Sequence, residues 1–304
     1  MAISRTQLVK ELEPGLNALF GLEYKRYENQ HAEIYVTESS DRAFEEEVML
    51  SGFANAQVKA EGSGVSFDTA QETYTARYTH DTVALAFAIT EEAIEDNLYD
   101  RLASRYTKAL ARSMSNAKQV KAVSPLINGL PSTDGFDSGD GVSLFNTAHT
   151  TVSGTNVKNT LTTQADLNET SLEQALIDIA GMTDERGLRV AARGVKMIIP
   201  SANQFTAERL MKSQGRTGTA DNDINAVASM GMVPQGYRVN NFLTDTDSWY
   251  IITDVPNGMK MFQRAALKTA MEGDFDTGNV RYKARERYSF GVSDYRGIFG
   301  CEGA

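Results

Sequence analysis

Three histidines, His31, His80 and His149, and one cysteine, Cys301, are the side chains of this chain best equipped for nucleophilic, general-base or metal chemistry. They do not combine. The histidines sit in separate segments with no pairing at helical spacing, and a zinc site needs at least three suitable ligands. His149, in "FNTAHT", is a candidate general base by residue type, but no Ser or Cys elbow accompanies it. The bland alternative is a loop histidine bonded to backbone. Cys301 lies among Gly and Glu near the end of the chain, a poor setting for a nucleophile. "DNDIN" (221–225) spaces its polar groups as a Ca²⁺ loop does, but position 6 is Ala226 and position 12 is Met232. Asp134, Asp137 and Asp140 would bind a cation weakly or simply shape turns. "GSG" (62–64) is a turn, since no helix follows to present its N-terminus to a phosphate. The expectation is no reaction, no cofactor and no metal.

Composition sets wider bounds. The chain has 304 residues, 41% hydrophobic and 23% charged, as folded proteins have. A single cysteine excludes an intrachain disulfide and suits a reducing compartment. No apolar stretch is long enough for a signal peptide or a membrane span, so a soluble, cytoplasmic protein is expected. The net charge of −10 argues against a protein whose main work is gripping nucleic acid. Two local basic clusters remain: Arg101, Arg105, Lys108 and Arg112, and then Arg281, Lys283, Arg285 and Arg287. Each is open to three readings: a solvated face paired with nearby acids, a mild lining for a polyanion, or a set of salt bridges between subunits.

The elements that must position these residues follow from periodicity. Residues 1–24 read as an amphipathic helix broken at Pro14–Gly15. "DRAFEEEVML" (41–50), with a capping Asp41 and early acids, reads as a helix start. "VALAFAI" (83–89) reads as a buried strand. From Thr90, Ile94, Leu98, Leu102, Tyr106, Leu110 and Met114 recur at spacings of three and four, predicting one long helix to about Val123, before Pro125. Its early acids (Glu91, Glu92, Glu95, Asp96) and later bases match the helix dipole. The tract 131–171 is too rich in Ser, Thr, Asn and Gly for a core and reads as loop with short strands. "SLEQALIDIAGM" is a helix capped by Thr170 or Ser171, "GVKMIIP" a buried strand, and "SANQFTAERLMKS" the helix it feeds. "GYRVNNFLTD" and "SWYIITDVP" read as two strands. "VRYKARERYSFGV" (280–292) alternates strictly, apolar on one side and basic on the other, with Glu286 breaking the apolar face. Leu102 and Tyr106 are expected to pack against that strand.

One segment resists this scheme. "EGSGVSFDTAQETYTARYTH" (61–80) has the Thr and Tyr content of a hairpin, but only Val65, Phe67, Tyr74 and Tyr78 to bury. An isolated two-stranded ribbon is marginal in water. These four residues are therefore expected to find their partner surface on another copy of the chain.

The order of parts, together with "SLFNTAHT" (143–150), "SLEQALIDIAGMTDERG" (171–187), "VKMIIPSANQFTAERLM" (195–211), "NDINAV" (222–227) and "FLTDTDSWYIITDVP" (242–256), resembles the major capsid proteins of tailed bacteriophages. Within them it is most similar to the Mu-like major head subunits. The resemblance implies an α+β chain of the Hong Kong 97 fold. Its parts would be an N-terminal arm (1–50), an extended loop (51–88), a peripheral domain with spine helix and loop (89–165), an axial domain (166–264) and a C-terminal peripheral strand (265–304). It also implies hexamers and pentamers in an icosahedral shell around double-stranded DNA, in a virion assembled in the host cytoplasm. The implied partners are a separate scaffold and a portal, with a decoration protein left open, and no membrane. An encapsulin-type compartment of the same fold is the alternative, ahead of an enzyme or ligand-binding protein. Lys59, in the extended loop, would be a cross-linking nucleophile toward a neighbour's Asn or a plain surface lysine.

Overall fold

The computed structural model describes residues 5–90, 92–93, 99–133, 135–216, 223–274 and 278–304, with the side chains of 5–12 and 99–102 outside the description. Asp134, Asp221, Asn222, the acids Glu91, Glu95 and Asp96, the early helix positions Ile94 and Leu98, and the side chains of Arg101 and Leu102 thus lie outside the described residues.

Helix α1 (Arg5–Arg26) runs unbroken through Pro14. The predicted break is absent because Leu16 and Phe20, beyond the proline, are buried in a cluster with Leu110, Met114 and Tyr282. Burying two such side chains contributes about 3–6 kcal/mol, enough to offset the roughly 3 kcal/mol a proline costs inside a helix. Strand β1 (Val36–Ser39) follows. Residues 44–50 are strand β2 (Phe44–Leu50), not the predicted helix, paired antiparallel with β3 (Glu72–Thr79). β4 (Asp81–Ile89) is a strand as predicted, but only Ile89 is buried. It lies at a sheet edge, and its alternate residues Ala84, Ala86 and Ala88 face outward.

Helix α2 (Tyr99–Asn128) is about 45 Å long at 1.5 Å per residue. It continues past Pro125, which falls in the last turn and cannot donate to the carbonyl four residues back; buried Leu126 and Leu130 on either side of the helix end hold the chain in the core against that loss. The polar tract after it forms the short hairpin β5 (His149–Thr150) and β6 (Asn156–Val157). Helix α3 (Glu169–Ala180) is capped by Asn168, with Ser171 completing the capping box from the third helical position. Then come β7 (Gly194–Ile199), α4 (Gln204–Lys212), a short α5 (Ala226–Met230), β8 (Tyr237–Val239), β9 (Trp249–Thr253), β10 (Met259–Gly273), β11 (Val280–Val292) and β12 (Ile298–Cys301).

Two sheets organise these elements. The first has the order β1-β10-β11-β4 and the second β12-β9-β7-β8. β10 pairs with β11 from Met259↔Val292 to Gly273↔Val280, through bulges near Ala265. The second sheet and helices α3 and α4 enclose Leu172, Ile179, Met197, Ile199, Leu210 and Ile251 in the larger core.

β11 shows the predicted alternation. Tyr282, Ala284, Glu286 and Tyr288 are buried, while Arg281, Lys283 and Arg285 are exposed. Buried Glu286 is bonded by Lys118 Nζ at 3.3 Å and approached by Tyr24 Oη at 3.4 Å. Burial raises its pKa despite that lysine and tyrosine. Tyr106 does not pack on β11 as expected. It is half exposed, its ring 5.8 Å from Phe87 of β4, and Leu110 and Met114 take the inward positions. Leu110→Ala should therefore cost about 3 kcal/mol in a urea titration of the subunit, and a loss near zero would remove α2 from the core.

Candidate assembly surface

The β2–β3 hairpin stands on the first sheet, on the side opposite α1 and α2. Tyr78 packs against Phe262 at 4.8 Å between ring centroids, and His80 Nδ1 bonds Ser289 Oγ at 3.0 Å. A Cβ at Gly291 would lie 2.6 Å from the Tyr78 ring, and one at Gly139 the same distance from Tyr74. Both glycines are required for this approach. Two of the inward residues of β2, Glu45 and Glu47, are acidic. Lys260 Nζ lies 2.5 Å from Glu47 Oε1 and 3.1 Å from Glu38 Oε1. Burial alone would depress Lys260; its hydrogen bonds to Glu47 and Glu38 outweigh this and raise its pKa. Ser293 donates its hydroxyl proton to Glu47, so Tyr78 is the donor in its 2.5 Å bond to Ser293 Oγ.

This corrects half of the expected contact set. Tyr78 is buried in its own chain, and Tyr74 packs on the core with its hydroxyl 3.4 Å from the Ser293 carbonyl. The sequence hides this because their partners come from residues more than two hundred positions away. Val65 and Phe67 behave differently, at 70% and 97% exposed. They belong to the segment 51–71, which has no regular strand and carries exposed Phe53 and Val58 as well. Its ends are tied by the Ser51 amide to the Gln71 carbonyl (2.9 Å) and by Arg186, which bonds Asp68 and the Thr69 carbonyl. The hairpin stem extends the apolar surface. Phe44, Val48 and Leu50 face outward while Glu45, Glu47 and Met49 face in. A strand with its apolar side toward solvent is a surface awaiting a partner.

The basic clusters are not brought together. Arg281, Lys283, Arg285 and Arg287 lie on the hairpin side of the sheet, beside Lys268 of β10 and the outward alanines of β4. Arg281 is paired with Asp274, and Arg287 Nε reaches the His80 carbonyl at 3.5 Å. Arg105, Lys108 and Arg112 line the outer face of α2, away from the sheet, and are exposed.

The residues with chemical potential are structural. His149 is fully buried, Nδ1 2.6 Å from Asp140 and Nε2 3.1 Å from Asn159 Oδ1, its ring stacked 3.9 Å from Tyr295. It is held by side chains, not by backbone as expected, and it makes part of the polar tract a core. His80 also bonds Ser40 Oγ at 2.9 Å, and burial with Arg287 lowers its pKa. Cys301 is buried against Gln164 and the Ala165 carbonyl, and burial pushes its thiol pKa up. Among the described residues no group of three His, Cys, Asp or Glu is placed to hold a metal ion.

His31 gives a pH dependence. Burial, with Lys118 nearby, lowers its pKa from 6.5 to about 4, against a bond from Gln119. Between those values the unfolded chain binds the extra proton, so stability is present above pH 6.5 and lost as pH falls through 4. The subunit should lose about 2–3 kcal/mol from this site between pH 7 and 4. His31→Gln should flatten that part of the urea-midpoint profile; an unchanged profile would contradict it.

A half-anchored hairpin with an outward apolar face, carried on a long helix and two sheets, defines a subunit built to be completed by copies of itself. Residues 73–300 match the family model described as phage capsid protein, and the chain belongs to that family. No curated relative matches. Among solved structures the fold is similar to the capsid of an empty GTA particle (TM-score 0.57, 13% identity, 90% of this chain and 89% of that one). It is similar also to the capsid of Myoviridae phage XM1 (0.53, 12%, 89% and 90%). The procapsid of bacteriophage JBD30 gives 0.55, 13%, 99% and 77%. The α+β Hong Kong 97 fold and the shell-building class stand on these matches, which do not favour the encapsulin alternative. The family match is to phage capsid proteins as a whole; the narrower Mu-like likeness rests on the motifs between 143 and 256.

Proposed function

We propose that this chain is the major head subunit of an icosahedral shell, arranged as hexamers and pentamers, that encloses double-stranded DNA. The observation that carries the reading is the exposed apolar surface of Phe44, Val48, Leu50, Phe53, Val65 and Phe67, on a hairpin whose polar side is spent on its own chain. In this reading Val65 and Phe67 dock on a neighbour. The first sheet, the loop 51–88 and α2 form the peripheral part of the wall. The second sheet, within 166–264, forms the axial part, joined by β12 from the C-terminal segment. A scaffold and a portal complete the proposed partner set, with assembly in the host cytoplasm and final residence in the virion. Lys59 is exposed in the loop and is read as a surface lysine. The test is electron microscopy with sedimentation of the purified full chain. Closed shells or rings of five and six are expected; a monomer across all salt and protein concentrations would overturn the proposal.

A further inference from the structure

We infer that the two basic surfaces face opposite sides of the shell wall, and that Arg105, Lys108 and Arg112 on α2 are the residues that meet the phosphate backbone of the enclosed duplex. This rests on the shell reading above and adds to it a side and a set of residues.

The sheet has two faces and each is marked. Tyr282, Ala284 and Glu286 point to α1 and α2, whereas Arg281, Lys283, Arg285, Ser289 and Gly291 point to the hairpin. In a closed shell all copies are oriented alike, so the hairpin and its loop lie toward the same side of the wall in every copy. That side is rich in carboxylates. Asp41, Glu61 and Glu72 are exposed there or on the loop, Glu38 and Glu46 are paired with Lys260 and Arg77, and Glu272 sits directly across from Arg281. A duplex carries one negative charge per roughly 1.7 Å of its axis, and these acids would repel it.

The helix side is different. From Arg101 to Thr133 the sequence contains six Lys or Arg and no Asp or Glu, in a chain of net charge −10. Lys118 and Lys121 are spent on Glu286 and Asp81. Arg105, Lys108 and Arg112 make no ion pair among the described residues. They fall within one narrow arc of the helix at spacings of three and four and span about 10 Å. Ala109, Ser113 and Asn116 between and beside them are short and exposed, so the cations stand clear of their surroundings. Nothing here reads base edges. The contact is to phosphate alone, weak and independent of sequence.

Formaldehyde cross-linking of DNA-filled shells, followed by peptide mapping, tests the assignment. Nucleotide adducts should fall on Lys108 and not on Lys268 or Lys283. A second arm titrates a random 30-base-pair duplex with full-length unassembled subunit at several NaCl concentrations. The variant Arg105→Gln/Lys108→Gln/Arg112→Gln should flatten the log K against log salt slope by about 2–3, as expected for three lost phosphate contacts. Adducts on Lys268 or Lys283 in filled shells, or an unchanged slope, would overturn this inference and leave the shell reading standing. Absence of any shell would defeat the shell reading itself.

Discussion

Replacing residues 53–70 by a short Gly-Ser linker should abolish shell formation and leave the subunit's own unfolding almost unmoved. The segment contributes nothing to the buried clusters, and its anchors are the exposed Asp68–Arg186 pair and hydrogen bonds at its ends. An exposed ion pair contributes little to stability, and loop-closure cost changes slowly with length. The melting temperature should therefore stay within about 2–3 °C. Assembly loses Phe53, Val58, Val65 and Phe67 together. At roughly 25 cal/mol per Å² of apolar area removed from water, several kcal/mol of contact per subunit disappear, and a closed shell multiplies that loss over every copy. The boundary matters. A deletion carried on to residue 80 would also remove Tyr74 and Tyr78 and unfold part of the body, and Tyr74→Ser should destabilise the subunit where Phe67→Ser does not. Sedimentation and melting, measured on the same preparations, decide it. A 53–70 deletion that still closes shells, or one that melts the subunit, would sink the idea.

The legible parts of this fold are those whose periodicity is set by their own chain. β11 was readable to the residue because one face packs on α1 and α2 while the other meets solvent, which writes a period of two into the sequence. β2 was misread for the opposite reason. Phe44, Val48 and Leu50 face outward while Glu45 faces Ser40 and Glu47 faces Lys260 and Ser293, so its run of acids has the look of a helix start. β10, the partner of β11, left no signal: bulges at Ala265 and beyond interrupt its alternation, and Gln263, Arg264 and Lys268 break any apolar run. The loop residues Val65 and Phe67 stand out in the sequence because they have no local partner. Tyr74 and Tyr78 look equally unpartnered in the sequence, because their partners at Gly139, Phe262, Gly291 and Ser293 are distant along the chain. What is missing from such a reading is the register between remote segments, which local patterns do not encode.

Remote register is most concentrated at Arg296, and its removal should be the most damaging single change to the subunit. Its guanidinium is 97% excluded from solvent, bonded to Glu185 at 2.5 Å, to Asp294 at 3.2 Å and to the Thr183 carbonyl at 2.9 Å. Both carboxylates are buried as well. Burial alone would depress the guanidinium pKa, but Asp294 with Tyr295 and Glu185 holds it raised; burial raises Asp294 beyond what Arg296 can offset. The cluster ties the turn after α3 to the turn between β11 and β12, beside the stacked His149–Tyr295 pair. Arg296→Leu would strand two buried carboxylates without a counterion. One stranded partner typically costs about 3–5 kcal/mol, so a loss of about 5 kcal/mol or more is expected, enough to unfold a marginal subunit. Neutralising the acids tests the cause. Adding Glu185→Leu and Asp294→Asn to Arg296→Leu should recover much of the loss in a urea titration, because a well-packed neutral cluster replaces the charged one. If the triple variant were no more stable than Arg296→Leu alone, the cost would lie in packing around Tyr295, and the charge balance argued for this cluster would be wrong.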